Sequence, residues 1–154
     1  EVAEAVTEAL REAGLEVELK SVREVKDLDA YGGVVIGAPL QMYRWHKDAL
    51  ALLHAHEQVL IRRPVAVFAV GPVTPEEKEW EEARGQLAKE LARFPRFLPF
   101  ETRVFGGKFD PKDLKFPWTL LPGMKKWPAS DVRDPQAVKA WAGQLAARFG
   151  AGEG

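Results

Sequence analysis

Apolar positions change period several times along the chain, and each change marks an element. Val2, Val6, Ala9, Leu10 and Ala13 recur at helical spacing among charged residues, and Gly14 stands where a left-handed cap would end that helix. Leu15-Glu-Val-Glu-Leu19 alternates with period two, which predicts a strand with one polar face near a sheet edge. Val22 to Asp29 reads as a polar connector with room for a helical turn. After Gly32-Gly33, the run from Val34 predicts a strand buried on both faces. Gly37-Ala38-Pro39 ends it, because proline brings no ladder donor and disfavours helix at the preceding residue. A loop of large side chains follows. From about His46 the pattern is helical, with Ala49, Leu50, Leu52, Leu53 and Val59 or Leu60 inward.

Val65–Val70 is a second strand apolar on both faces, and it too runs into a Gly-Pro turn, Gly71-Pro72-Val73. Thr74-Pro75-Glu76-Glu77 predicts a helix opened by a capping box, with Thr74 as N-cap and Pro75 in the first helical position. Trp80, Ala83, Leu87, Leu91 and Phe94 form its inward stripe. Phe100 to Phe105 is a third strand, closed by Gly106-Gly107, and Lys108 to Trp127 has no clear period. Asp134-Pro135 caps a last helix carrying Val138, Trp141, Ala142, Leu145 and Phe149 on one side.

Strands that alternate with helices imply parallel pairing through right-handed crossovers, hence an α/β fold with a doubly wound sheet in a three-layer α/β/α sandwich. The pattern is that of a single domain over residues 1–150, with 108–127 as an insertion or flap and 151–154 as a flexible tail. The first helix has no strand before it. In a sheet of order 2-1-3-4-5 that leaves a central slot whose ladder groups need partners. The expectation is an upstream strand and turn of roughly ten to fifteen residues before Glu1.

Composition narrows the chemistry. The 154 residues carry a formal net charge of -1, so no overall basicity argues for nucleic acid or an anionic membrane. Zero Cys removes disulfides and thiolate chemistry. No signal peptide is evident, which makes the cytoplasm the expected compartment. The absence of Cys and Asn, with 11 Pro, suits a heat-adapted source.

Val34-Val-Ile-Gly-Ala38, the loop ending Arg44-Trp45-His46, the turn from Phe68 to Pro72 and Phe105-Gly-Gly-Lys108 together resemble flavodoxin-domain proteins. The closest branch is that of the quinone-dependent protoporphyrinogen IX dehydrogenases, which Asp131 to Trp141 also fits. The resemblance spans nearly the whole chain. It implies a flavodoxin-like fold with FMN lying across the carboxyl ends of the strands, and an oxidoreductase or electron-transfer role. A small organic acceptor or donor, of quinone or porphyrinogen type, is the implied substrate. Carried over by position, the first flavin loop is Pro39, Leu40, Gln41, Met42, Tyr43, Arg44 and Trp45, and the second is Val70, Gly71, Pro72 and Val73. No side chain is implied as a catalytic acid or base, because the flavin stores the electrons. In the resembled branch the 108–127 segment is associated with partner or quinone contact, and its mixed basic and aromatic residues also suit peripheral contact with a membrane.

This chain departs from the family in three places. The phosphate loop after the first strand is not in the sequence, Tyr43 stands where relatives commonly have Gly, and Ala69 and Val70 replace hydroxyl residues. A second reading therefore stands beside the first: a flavodoxin-like domain that has lost flavin and serves as an interaction module. Tyr43 and Trp45 either stack on the ring or plug the core, and Arg44 either grips an anion or is a solvated charge. His46 reads as a packing or capping residue. His54 and His56 lack further ligands for a metal.

Overall fold

The computed structural model describes residues 2–41, 44–109 and 130–152, with backbone only at the ends of these stretches next to residues 42–43, 110–129 and 153–154. Three strands run parallel: β1 (Val34–Gln41), β3 (Val65–Val70) and β4 (Glu101–Phe105). The short β2 (Arg44–Trp45) folds back antiparallel on β1, giving the order β2-β1-β3-β4. A separate two-stranded ribbon joins β5 (Lys108–Phe109) to β6 (Ser130–Asp131). Among the described residues there are four α-helices, α1 (Val2–Glu12), α2 (Lys47–Leu60), α3 (Glu77–Leu91) and α4 (Pro135–Gly152).

Strand alternation divides the core into two layers. Val65, Val67, Ala69, Ile36 and Val104 point toward α2 and α3, where Leu52, Leu53, Ala83 and Leu87 meet them. Ala66, Phe68 and Phe105 point the other way, toward Val6 and Leu10 of α1 and Val138, Trp141 and Leu145 of α4. This is the flavodoxin-like three-layer sandwich expected from the alternation. Phe68, Phe105 and Trp141 form an edge-to-face triangle with centroids 5.4 to 6.0 Å apart. The Phe68 ring lies across Gly37, its register partner, and a Cβ at Gly37 would come within 1.9 Å of it. Gly37 is thus fixed by close approach.

Helix ends follow their local chemistry. After α1, Gly14 takes φ +96°, Leu15 N–H donates to Leu10 C=O and Gly14 N–H to Arg11 C=O, which is the paired geometry of a Schellman cap. Asp134 caps α4, accepting from Ala137 N–H at 3.0 Å, with Pro135 in the first helical position. The connector does hold a turn, a 3-10 segment at Val22–Glu24. The last helix continues through Gly152, into the residues expected to form the tail.

Three sequence expectations are corrected. Leu15 to Leu19 forms no strand: it is unladdered, and Val17 C=O accepts from the Arg11 guanidinium at 2.7 and 3.2 Å instead of from a neighbouring strand. Period two makes a segment able to join a sheet, and pairing still needs a partner edge. The Val34 strand does not stop at Pro39 but continues to Gln41. Proline is tolerated because Val34 N–H donates toward β3 while Pro39 C=O accepts from His46 on the opposite side. Alternation then puts the missing proline donor opposite His46, whose C=O accepts instead from Ala49 N–H at the start of α2, so no acceptor is left unpaired. Finally, α3 begins at Glu77 with Glu76 as N-cap, two residues later than expected, and the cap lacks a side-chain bond.

Candidate functional site

Parallel strands deliver their carboxyl ends to one end of the sheet, and three turns meet there. The first is the β1–β2 hairpin. Pro39 is exposed and Leu40 half-buried, Gln41 and Arg44 are ladder partners, and Leu40 pairs with Trp45. Met42 and Tyr43 lie outside the described residues. Trp45 is 1% exposed, and its indole N–H donates to Ala38 C=O at 3.1 Å. Of the two roles open to it, the geometry is that of a plug beneath the hairpin. His46 closes the turn: its backbone N–H donates to Pro39 C=O, and its Nδ1 accepts from Asp48 N–H at 3.1 Å as the N-cap of α2.

The second turn follows β3. Val70, Gly71 and Val73 are half-buried and Pro72 is fully buried. Gly71 N–H donates to Phe105 C=O at 3.2 Å, and Pro72 C=O accepts from Gly107 N–H at 2.8 Å. Gly71 packs against the first turn, since a Cβ there would stand 3.0 Å from Leu40 Cδ1. The turn is braced from α3. Glu79 Oε1 accepts from Val73 N–H at 2.9 Å, its other oxygen accepts from the Thr74 hydroxyl, and Trp80 N–H donates to Thr74 C=O at 2.9 Å. Sequence reasoning missed Glu79. The capping box drew attention to Glu77, whereas it is the Glu79 carboxylate that holds the loop.

The third turn is Gly106-Gly107. Gly106 is required by approach, because a Cβ would fall 2.2 Å from Val132 C=O, and Val132 N–H donates to Gly107 C=O at 3.0 Å. These bonds join the third turn to the start of α4.

The three turns form one continuous rim, and its contents suit a planar, largely apolar ring better than a reactive anion. Among the described residues no group of His, Asp and Glu could hold a metal ion. Glycines at 71 and 107 keep the rim low, and Leu40, Val70 and Val73 give it apolar walls. That fits the isoalloxazine end of a flavin. The backbone donors of Gly71, Val73 and Gly107 are already engaged within the protein, which leaves fewer of them for ring oxygens and nitrogens. Among the described residues no helix is long and apolar enough to cross a membrane.

No characterised relative matches the sequence in a search of curated proteins. A family model described as "Flavodoxin domain" matches residues 1–146. With the flavodoxin-like sandwich already in hand, that match over nearly the whole chain places it in the flavodoxin-domain family, whose members typically bind flavin.

Proposed function

We propose that the chain is an FMN-dependent oxidoreductase or electron-transfer protein, with the ring held between the Pro39–Trp45 hairpin and the Val70–Val73 turn. The observation that carries this reading is the braced second turn at the carboxyl end of a parallel sheet. Such a turn presents fixed backbone and apolar side chains to a flat cofactor at no ordering cost on binding. FMN, when bound, supplies the redox chemistry, and the protein residues orient the ring and limit water around it. A small organic acceptor or donor is the substrate class, with quinone or porphyrinogen type taken from the resemblance alone.

A specific observation supports the second reading, an interaction module without flavin. Trp45 is turned into the core, and three backbone donors at the rim are spent inside the protein.

Titration of the chain with FMN, followed by absorption, separates the two. A perturbed flavin band that saturates at one FMN per chain is expected, followed by reduction with NAD(P)H and reoxidation by quinones. A spectrum that stays that of free FMN overturns the flavoprotein reading. The Glu79→Ala variant releases the second turn and is expected to weaken FMN about tenfold or more, the equivalent of one charge-assisted hydrogen bond.

A further inference from the structure

Among the described residues the sheet ends at β4, and the far edge of that strand carries a charge pattern complementary to itself. Phe100 N–H donates to Val65 C=O at 2.9 Å, so the backbone of Phe100 faces β3. Alternation turns the backbone groups of Thr102 and Val104 the same way and those of Glu101 and Arg103 outward. No backbone bond from another described residue reaches these outward groups. Thr102 and Arg103 are exposed, and the side chains of Glu101 and Arg103 meet on one face of the strand, 3.9 Å apart. An open edge is a template for another strand, and charges along it commonly discourage that pairing.

The order of these charges suits one partner. When two β4 strands lie antiparallel and centred on Thr102, Glu101 of each copy stands opposite Arg103 of the other, on the same face of the joined sheet. The backbone parity agrees. Glu101 and Arg103 are the residues with outward N–H and C=O groups, so each 101–103 pair exchanges both of its hydrogen bonds across a two-fold axis. Centring the pair on Glu101 or on Arg103 also matches outward groups, but it sets like charges face to face on the axis.

The same arrangement finds a place for Leu98, which lies just before β4 and is 83% exposed. The helix α3 crosses over between parallel strands and therefore runs back along β4, which puts Trp80 toward the carboxyl end of β4 and Leu98 beyond its start. Both line the apolar groove between α3 and β4. Antiparallel pairing sets the start of one β4 beside the end of the other, and carries Leu98 toward Trp80 of the second copy.

We propose that the outer edge of β4 is a homodimer interface, in which a second copy of this chain pairs antiparallel through Glu101-Thr102-Arg103 and continues the sheet. The interface owes nothing to flavin, and its test uses the chain without FMN.

Sedimentation velocity of the full chain over a range of concentrations reads the assembly, with circular dichroism to verify that each variant folds. The wild type is expected to pass from monomer to dimer as concentration rises. Glu101→Arg and Arg103→Glu each turn the attractive pairs into repulsive ones, and each is expected to raise the dimer dissociation constant about tenfold or more. Mixing these variants puts opposite charges back at both pairs, so a heterodimer of near wild-type affinity is expected. The chain has no Cys, so Thr102→Cys brings a single thiol to the axis, where facing residues stand about 4.5 Å apart, within disulfide reach. Mild oxidation is expected to link that variant into a covalent dimer and to leave the exposed control Glu12→Cys on α1 monomeric. A chain that is monomeric at every concentration overturns the proposal, as does a dimer that both charge reversals leave intact, a mixture that fails to pair, or a Thr102→Cys chain that links no faster than the control.

Discussion

The two edges of β1 are chemically unlike, and the contrast shows where the sheet is held and where it is not. Toward β3, β1 is paired in continuous parallel register from Val34↔Val65 to Pro39↔Val70. Toward the other side, among the described residues, it is paired only at its end, by the two-residue β2. Val34 N–H donates to Pro64 C=O on the β3 side, whereas Pro39 C=O accepts from His46 N–H on the other. Alternation then directs the backbone groups of Val35 and Gly37 to the outer edge. No bond from another described residue reaches them. The segment with strand-like alternation, Leu15 to Leu19, joins no ladder, and Arg11 occupies its Val17 carbonyl. One edge is a finished sheet. The other leaves Val35 and Gly37 without a ladder partner among the described residues, along the segment that leads into the β1–β2 turn.

The contrast is broken most severely from the finished side. Phe68→Ala removes the ring shared by Phe105, Trp141 and Gly37 and is expected to cost about 3–5 kcal/mol, read as a lowered denaturant midpoint with unchanged slope. A loss under 1 kcal/mol would mean that the triangle is not the centre of that layer. A smaller loss, about 1–3 kcal/mol, is expected for Gly37→Ala, because the new methyl displaces the Phe68 ring. Near-UV circular dichroism should report the moved aromatic, and an unchanged spectrum would count against the close approach.

The smallest effect belongs to the open side. Tyr31 O–H donates to the Glu18 carboxylate and, with Lys20 nearby, holds its pKa below the ordinary 4.5. A lowered carboxylate pKa stabilises the fold above the ordinary value, and that stabilisation disappears as pH falls through the lowered one. Acid should therefore loosen the Leu15–Lys20 segment from Tyr31 below pH 4.5, with little change in global stability since the pair is on the surface. Comparing the acid titration of wild type with Tyr31→Phe checks this: equal Glu18 titrations would contradict it.

The finished side was also the legible side. Val65–Val70 and the α2 and α4 stripes are encoded by periodicity within a few residues, and they pack as their patterns require. Gly14 and Asp134 act as local caps for the same reason. What stayed hidden depends on partners distant in sequence. Leu15–Leu19 has the alternation of a strand but pairs with no described one, and a two-residue β2 is too short to leave a period. The Thr74 hydroxyl suited a capping box with Glu77, but its bond to Glu79 belongs to loop geometry that begins before the helix. In the same way, a tryptophan in a loop offers no sign of which way its ring turns. The Ala38 carbonyl beneath Trp45 decides it.

Residue-resolved amide hydrogen exchange along β1 tests the asymmetry most directly. Ile36, directed to β3, should exchange slowly and near the rate of global opening, while Val35 and Gly37 exchange much faster despite lying in the same strand. An alternating pattern of this kind is the predicted result. Uniform protection across Val35, Ile36 and Gly37 would contradict the account, because it would show that the outer edge of β1 is already covered.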